Sequence, residues 1–281
     1  MLVEKYINPF TDYGFKKLFG EEPNKNLLLD FLNELLREEQ GEIVDITYLK
    51  NEHLGSSQVD RKAIFDLYCQ NEKGERFIVE LQKTKQNFFK DRSVYYSTFP
   101  IREQAKRAEW DFCLNKVYLI AILDFTFDSK DKQVDKYRSD VFLKDNETNA
   151  VFYDKLQYIF LEMPRFQKSI DELSTRFDKW LYVIKNLNKL NCIPENLKER
   201  IFEQLFETAE IAKFTSEEMY QYEDSLKYYR DLKNSLDTAF DDGEKHKALS
   251  IARTCIQEGL DNTMISKLTG LDIQDIKALR T

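Results

Sequence analysis

Two carboxylates separated by a hairpin carry the chemistry this chain has to offer. Between Asp60 and Lys83, two strand-like segments flank Glu72-Lys73-Gly74, a spacing that suits a three-residue loop with Gly74 in the left-handed position. If Asn71 pairs with Glu75, counting back along both strands places Asp66 opposite Glu80 and Ile64 opposite Gln82. Side chains alternate along a strand, so Asp66, Glu80 and Gln82 then share one face, while Phe65, Leu67, Val79 and Leu81 fill the other. Directly opposed residues hold their Cβ atoms about 4.5 to 5.5 Å apart, and two carboxylates that close repel one another. A divalent cation between them removes the repulsion, and magnesium's ligand bonds of about 2.0 to 2.1 Å fit such a gap. A four-residue loop would instead set Asp66 against Val79, and a solvated hairpin face carrying two unrelated acids is the alternative.

Histidine and cysteine narrow the chemistry further. His53 and His246 are the only two histidines, and neither has a cysteine pair beside it, so the usual nitrogen and sulfur ligands of zinc are missing. A Ser-His-Asp or Cys-His mechanism would have to run through one of these two residues, and both sit among polar neighbours. Cys69, Cys113, Cys192 and Cys255 stand too far apart for a CxxC motif and read as free thiols. What remains is carboxylate chemistry, which suits hard cations such as magnesium or manganese.

The elements that must position these residues follow from the hydrophobic period. Thr11 to Phe19 reads as a short helix stopped by Gly20 in a left-handed position. Pro23 opens a second helix whose stripe is Leu28, Phe31, Leu32, Leu35 and Leu36, with Gly41 ending it. The period then changes to two, predicting strands at Ile43 to Leu49, Ala63 to Gln70 and Glu75 to Gln82. A helical pattern runs from Asn87 to Glu109, interrupted at Pro100. Val117 to Leu123 is apolar throughout, as expected of a strand buried on both faces. Further strands are predicted at Val141 to Lys144 and Leu156 to Glu162, and the rest reads as helical. This is an α/β or α+β layer arrangement with a helical module appended.

Composition sets the outer limits. The 281 residues include 42 Lys plus Arg and 50 Asp plus Glu, for a net charge of −8. That length accommodates one large domain or two modest ones. With 8 Gly, 5 Pro and 14 % aromatic residues, the chain is neither collagen-like nor disordered. Its longest apolar run, Val117 to Leu123, is far short of the roughly 20 residues that cross a bilayer. The first residues lack the pattern of a signal peptide, so a cytoplasmic location is expected. The charge is uneven: Arg61 to Arg107 holds 11 basic and 6 acidic residues, a balance of +5, whereas Glu195 to Glu244 holds 6 and 14, a balance of −8. The basic segment coincides with the carboxylate pair, as a phosphate-binding surface requires.

An acid on one strand, a hairpin, and Glu-x-Lys or Glu-x-Gln on the next strand is the motif of PD-(D/E)XK nucleases, here Asp66 and Glu80-Leu81-Gln82. Around it stand Asn8-Pro9-Phe10-Thr11-Asp12-Tyr13-Gly14-Phe15, then Arg92, Tyr95-Tyr96 and Gln104. Later come LQYIFLEMPRF from Leu156 to Phe166, Trp180, Gln257-Glu258-Gly259 and Leu268-Thr269-Gly270-Leu271 with Ile276. This ordered series, spanning nearly the whole chain, resembles the Rpn family of recombination-promoting nucleases, also described as PD-(D/E)XK nuclease family transposases.

The resemblance implies a restriction-endonuclease-like α/β core, a central mixed sheet flanked by helices, with an all-helical carboxy-terminal region. It places a nuclease-like domain at residues 1–166, a helical region at 167–240 and a small tail resembling a helix-turn-helix at 241–281. The implied activity is a Mg2+- or Mn2+-dependent DNA endonuclease; a non-catalytic nuclease fold that binds DNA or a partner is the competing class. Asp66 and Glu80 would hold the metal, which lowers the pKa of an attacking water. Gln82 stands where the Glu-x-Lys form has a cation and donates a hydrogen bond without charge. Lys62, on the same predicted face, either supplies that cation or is a solvated strand residue. Asp12 either completes the site or complements its helix dipole, and Asp60 is a weaker candidate. Arg92 and Tyr96, four apart on one helix face, and Gln104 are the DNA-binding candidates, against a reading in which Tyr96 packs on the sheet with Arg92 capping it. DNA is thus the expected partner and no membrane is; a second copy would meet the chain through the helical carboxy-terminal region. In the tail, Lys247 to Gln257, Thr263 to Leu268 and Ile273 to Leu279 are predicted as short helices past Asp241-Asp242-Gly243, with Gly259 and Gly270 as stops and Asp261 and Asp272 as caps.

Overall fold

A continuous apolar strand forms the centre of the molecule because it is covered on both sides. The computed structural model describes residues 4–39, 41–53, 63–105, 111–127 and 136–280. Among the described residues eight strands are formed: β1 (Ile46–Tyr48), β2 (Glu52–His53), β3 (Ala63–Ile64), β4 (Leu67–Asn71), β5 (Arg76–Gln82), β6 (Val117–Leu123), β7 (Arg138–Lys144) and β8 (Val151–Glu162). Six of them make one mixed sheet in the order β1-β4-β5-β6-β8-β7, while β2 and β3 pair separately. β6 runs parallel to both of its neighbours, β5 and β8, and every one of its residues is buried. The edges are antiparallel, with β4 joined to β5 by the hairpin.

Helices cover both faces. α1 (Asp12–Phe19) and α2 (Lys25–Leu36) lie on one face, where the side chain of Leu67 meets Gly20 and Gln157 of β8 donates to Glu39 at 2.5 Å. α3 (Phe89–Glu103) covers the other, its Phe89 and Phe99 sharing a core with Tyr68, Ile78, Leu119, Ala121, Leu123, Tyr158 and Phe160. A triad fixes the carboxy-terminal end of α3 to the hairpin: Tyr68 donates to Glu103 at 2.7 Å, and Arg76 donates to both Tyr68 and Glu103 at 2.6 and 2.8 Å. Pro100 lies inside α3 rather than interrupting it. α4 (Arg176–Asn186) and α5 (Arg200–Ala209) pack on α1 and α2, with Trp180 fully buried among Phe19, Phe31 and Phe202 and bonded to Asp30 at 2.7 Å.

The chain separates into two compact units, residues 1–226 and 227–281. α6 (Ser216–Gln257) is continuous through Asp241-Asp242-Gly243, where the sequence suggests a boundary. A lone exposed glycine costs a helix interior only about 0.5 to 1 kcal/mol, too little to break 42 residues of it. In the second unit α7 (Asn262–Thr269) and α8 (Ile273–Ala278) pack on the end of α6 around Ala252, Ile265 and Ile276. Gly259 and Gly270 adopt φ of +80° and +72°, and Asp261 and Asp272 cap the following helices, as their spacing predicts. Among the described residues no helix is long and apolar enough to cross a membrane.

Two amino-terminal glycines are required for space. Gly20 has φ of −109°, not the expected left-handed value; a Cβ there would lie 2.9 Å from the Leu67 side chain and 3.0 Å from the Lys16 carbonyl. Gly14 is tighter. Thr11 caps α1 by accepting from the Gly14 N–H at 2.9 Å and donating to the Asn8 carbonyl at 2.8 Å, and a Cβ on Gly14 would stand 2.3 Å from that same carbonyl. Gly14→Ala is therefore expected to destabilise the protein by about 1 to 3 kcal/mol. Gly243→Ala, with nothing within 4 Å, should instead stabilise it by about 0.5 to 1 kcal/mol. Urea midpoints of the two variants check both signs.

Candidate active site

The hairpin register that brings the two acids together is the one the loop length predicts. Gly74 has φ of +80°, the Asn71 N–H donates to the Glu75 carbonyl at 3.1 Å, and β4 pairs with β5 from Gln70 opposite Arg76 to Leu67 opposite Val79. One step further, Asp66 faces Glu80. There the ladder ends. Asp66 sits in a bend, its backbone N–H donates to Glu80 Oε1 at 3.3 Å, and its carboxylate crosses to accept the Leu81 N–H at 2.7 Å. The Asn51 side-chain amide holds the Asp66 carbonyl at 3.0 Å.

That bend corrects the predicted strand from Ala63 to Gln70, which is broken into β3 and β4. It also corrects Phe65, expected on the face of Leu67. Phe65 is buried with Tyr68 and Ile78, its ring 5.2 Å from Tyr96 and 6.2 Å from Phe99. Alternation holds only while the chain stays in the ladder, and the turn at Asp66 restarts the count.

Glu80 lies beside Ala121 and Gln82 beside Leu123, both on the α3 face and both buried, Glu80 to 6 % exposure. Asp66 is half-buried. Burial holds the Asp66 carboxyl above its ordinary pKa, against the Leu81 N–H that favours its charge; Asp12 adds to the upward push, and Lys16 and Lys83 oppose it. Burial, and then the charge of Asp66, push Glu80 well above the usual carboxylate range, with Arg92 acting the other way. Among the described residues neither acid forms a salt bridge.

Helices on the two faces bring cations to this strand end. From α3, Arg92 donates to Gln82 Oε1 and, at 2.5 Å, to Gln86 Oε1, with its guanidinium 5.6 Å from the Tyr96 ring centre. Gln82 also donates to the Thr84 carbonyl at 3.2 Å. Tyr96 is half-buried against Phe65, and its pKa is raised by burial and by the nearby Glu80 charge. From the α1 face, Lys83 pairs with Asp12 at 2.8 Å. Lys83 was not a sequence candidate, because strict alternation sends it to the face opposite Gln82; it matters because β5 ends at Gln82 and α1 meets the sheet there. Lys16 is a second cation that the spacing did not reveal.

One candidate falls elsewhere. Gln104 lies past the far end of α3, about 18 Å along the axis from Arg92 at 1.5 Å per residue. Its amide exchanges bonds with the backbone of Asn115 at 2.6 and 3.3 Å, so it is not brought to the carboxylates. Lys62, like Asp60, lies outside the described residues.

The donor set can be weighed for a divalent cation. Asp66 and Glu80 each commit one oxygen to a backbone N–H and retain the other. They are hard oxygen ligands that repel one another, the situation a divalent cation relieves. No group of three or more His, Cys, Asp and Glu is assembled among the described residues. Two carboxylates suffice for magnesium, which keeps several waters and takes substrate phosphate oxygens as ligands. The residues therefore fit such an ion.

Two family models match the chain. A model described as PD-(D/E)XK nuclease family transposase matches residues 9–239, and one described as the Rpn/YhgA-like nuclease family, C-terminal HTH domain, matches residues 245–281. No curated protein and no solved structure gives a significant match.

The raised carboxyl pKa of Glu80 makes fold stability fall as pH rises. Between the unfolded pKa of about 4.3 and the higher folded value, the native state binds more protons than the unfolded chain, so the slope of stability with pH is negative. Glu80→Gln removes this liability while keeping an oxygen for the Asp66 N–H. In chelator, its thermal midpoint is expected to exceed wild type at neutral and alkaline pH and to converge with it below about pH 4. Millimolar magnesium should raise the wild-type midpoint selectively.

Proposed function

The chain belongs to the PD-(D/E)XK nuclease family transposases, and from that premise we propose that it is a divalent-metal-dependent DNA endonuclease, hydrolysing phosphodiester bonds in recombination or mobile-element settings. The observation that carries this reading is the convergence of Asp66 and Glu80 at the end of β5, with no cation of the described residues in a salt bridge to either. Asp66 and Glu80 would hold Mg2+ or Mn2+. When bound, the ion polarises the phosphodiester and lowers the pKa of a water.

The chain's own residues do the rest. The Leu81 and Asp66 N–H groups fix one oxygen of each carboxylate, and the other oxygen of each is the one that would hold the ion. Gln82, held by Arg92, is neutral, so the positive charge that would offset the developing negative charge comes from Arg92 and Lys83. Asp12 holds Lys83 in place and is a positioning residue in this scheme. Tyr96 presents its ring to the Arg92 guanidinium and orients it. We assign residues 1–166 to the nuclease domain, 167–240 to a helical region and 241–281 to a tail. The helix-turn-helix match at 245–281 supports DNA as the partner. The neutral Gln82 favours one competing reading, a nuclease fold that binds DNA without cutting it.

Purified protein is expected to nick or cut DNA with magnesium or manganese and to lose at least about a hundredfold in rate in Asp66→Ala and Glu80→Ala. Lys83→Ala should lower the rate about tenfold or more while sparing metal-free DNA binding. Gel assays of plasmid and linear DNA decide between the readings: salt-sensitive binding with no cleavage under any metal establishes the non-catalytic one, and full activity in both acid variants removes the site.

A further inference from the structure

The residue one helical turn before Arg92 is hard to explain as part of the fold. Phe88 precedes α3 with φ of +63° and ψ of 25°, the left-handed region in which a bulky side chain is an outlier. Its ring is 79 % exposed, and it makes no ring contact among the described residues. Neither core burial nor backbone preference calls for phenylalanine here; glycine or asparagine would serve the turn better. Phe88 also lines a cavity of about 280 Å³ together with Lys85, Phe89, Lys90, Asp91 and Phe127. Lys90 places its ammonium 4.9 Å from the Phe127 ring centre, so the wall is aromatic with a basic rim. The cavity adjoins the carboxylate end of the sheet. The Phe88 carbonyl accepts the Arg92 N–H at 2.9 Å, and the Arg92 guanidinium reaches both Gln86 and Gln82.

We propose that Phe88 is a stacking platform for an unpaired nucleobase of the strand whose phosphate lies at the Asp66 and Glu80 site. The proposal rests on the reading of DNA as substrate and adds its form: single-stranded, frayed or otherwise unpaired. An exposed ring beside lysines matches the chemistry of single-stranded nucleic acid, in which the bases offer a π face and the backbone a negative charge. In a closed duplex that π face is covered by neighbouring bases. Lys85 and Lys90 would track the phosphates on either side, and the acidic Asp91 on the same wall keeps the cavity from being a general anion trap.

The test uses the full chain in chelator, so that binding is read without cleavage. The probe is a single strand of about 12 nucleotides carrying 2-aminopurine, whose fluorescence reports base stacking, compared with its fully paired duplex. Wild type should quench the single strand on binding. Phe88→Ala should weaken single-strand binding by about five- to a hundredfold and abolish the quench, with duplex binding little changed. Phe88→Trp should restore both. Phe112→Ala removes another exposed ring with left-handed backbone, past the far end of α3, and should change nothing. Unaltered quenching in Phe88→Ala overturns the proposal, as does an equal loss for single strand and duplex or an equal effect in Phe112→Ala. Cleavage is scored separately with magnesium. If wild type does not cut but the Phe88 difference stands, the stacking site survives and the endonuclease reading fails; if wild type cuts and Phe88→Ala binds normally, only the stacking site fails.

Discussion

The structure turns on a buried carboxylate held next to another. Glu80 sits in the third strand of the six-stranded sheet, flanked by Ala121 and covered from the α3 side, where an isolated charge is costly. The fold makes the position tenable with two backbone N–H groups, one from Asp66 and one from Leu81, that cross-brace the pair. That brace exists only because the ladder ends at Leu67, freeing the Asp66 side chain and N–H to turn toward β5. A longer β4 would spend the same N–H on strand pairing and leave Glu80 unsatisfied. The bend, the register and the loop that sets the register are thus one device.

The surrounding layers follow from that device. Parallel strands β5, β6 and β8 end together, and crevices at the carboxyl ends of such strands are where α/β sheets bind ligands. α3 delivers Arg92 from one face and α1 brings Asp12 and Lys16 from the other. Each helix is held far from the acids: α3 by the Tyr68, Arg76 and Glu103 triad at its other end, α1 by Thr11 and by packing on the Trp180 cluster. The rings around Trp180 therefore bear on the carboxylate pair indirectly, by anchoring α1 through Phe19.

How much of this the sequence discloses depends on whether a feature is local. The register was legible because Gly74 selects the loop and the loop selects the pairing, all within a few residues. The apolar run of β6 and the caps at Asp261 and Asp272 are equally local. β8 was read only from Leu156 to Glu162, the half that is buried; Val151 to Lys155 pairs with β7 alone, is largely solvated, and so carries no hydrophobic period. Phe65, Lys83 and Gly20 were misread or missed for the opposite reason. Their roles depend on a bend, a strand end and a close approach to Leu67, each decided by tertiary contacts. Asp60 and Lys62 fall outside the described residues, so the face predicted for Lys62 stays a matter of sequence.

The charge balance also changes meaning in three dimensions. Of the 11 basic residues between Arg61 and Arg107, Arg76 is engaged by Glu103 and Tyr68 at the opposite end of α3, and Arg102 lies over Phe99 near that end. Among the described residues, Lys83, Lys85, Lys90 and Arg92 are gathered around the carboxylates and the Phe88 cavity. At the end of α8 the charge is sparse: Arg280 is committed to Asn262 and the Leu260 carbonyl, leaving Lys277 as the remaining basic residue there. A helix of six residues with so little charge has a weak electrostatic grip on duplex DNA. On the reading of DNA as substrate, Lys85, Lys90 and Arg92 beside an exposed aromatic wall would then supply much of the hold on it.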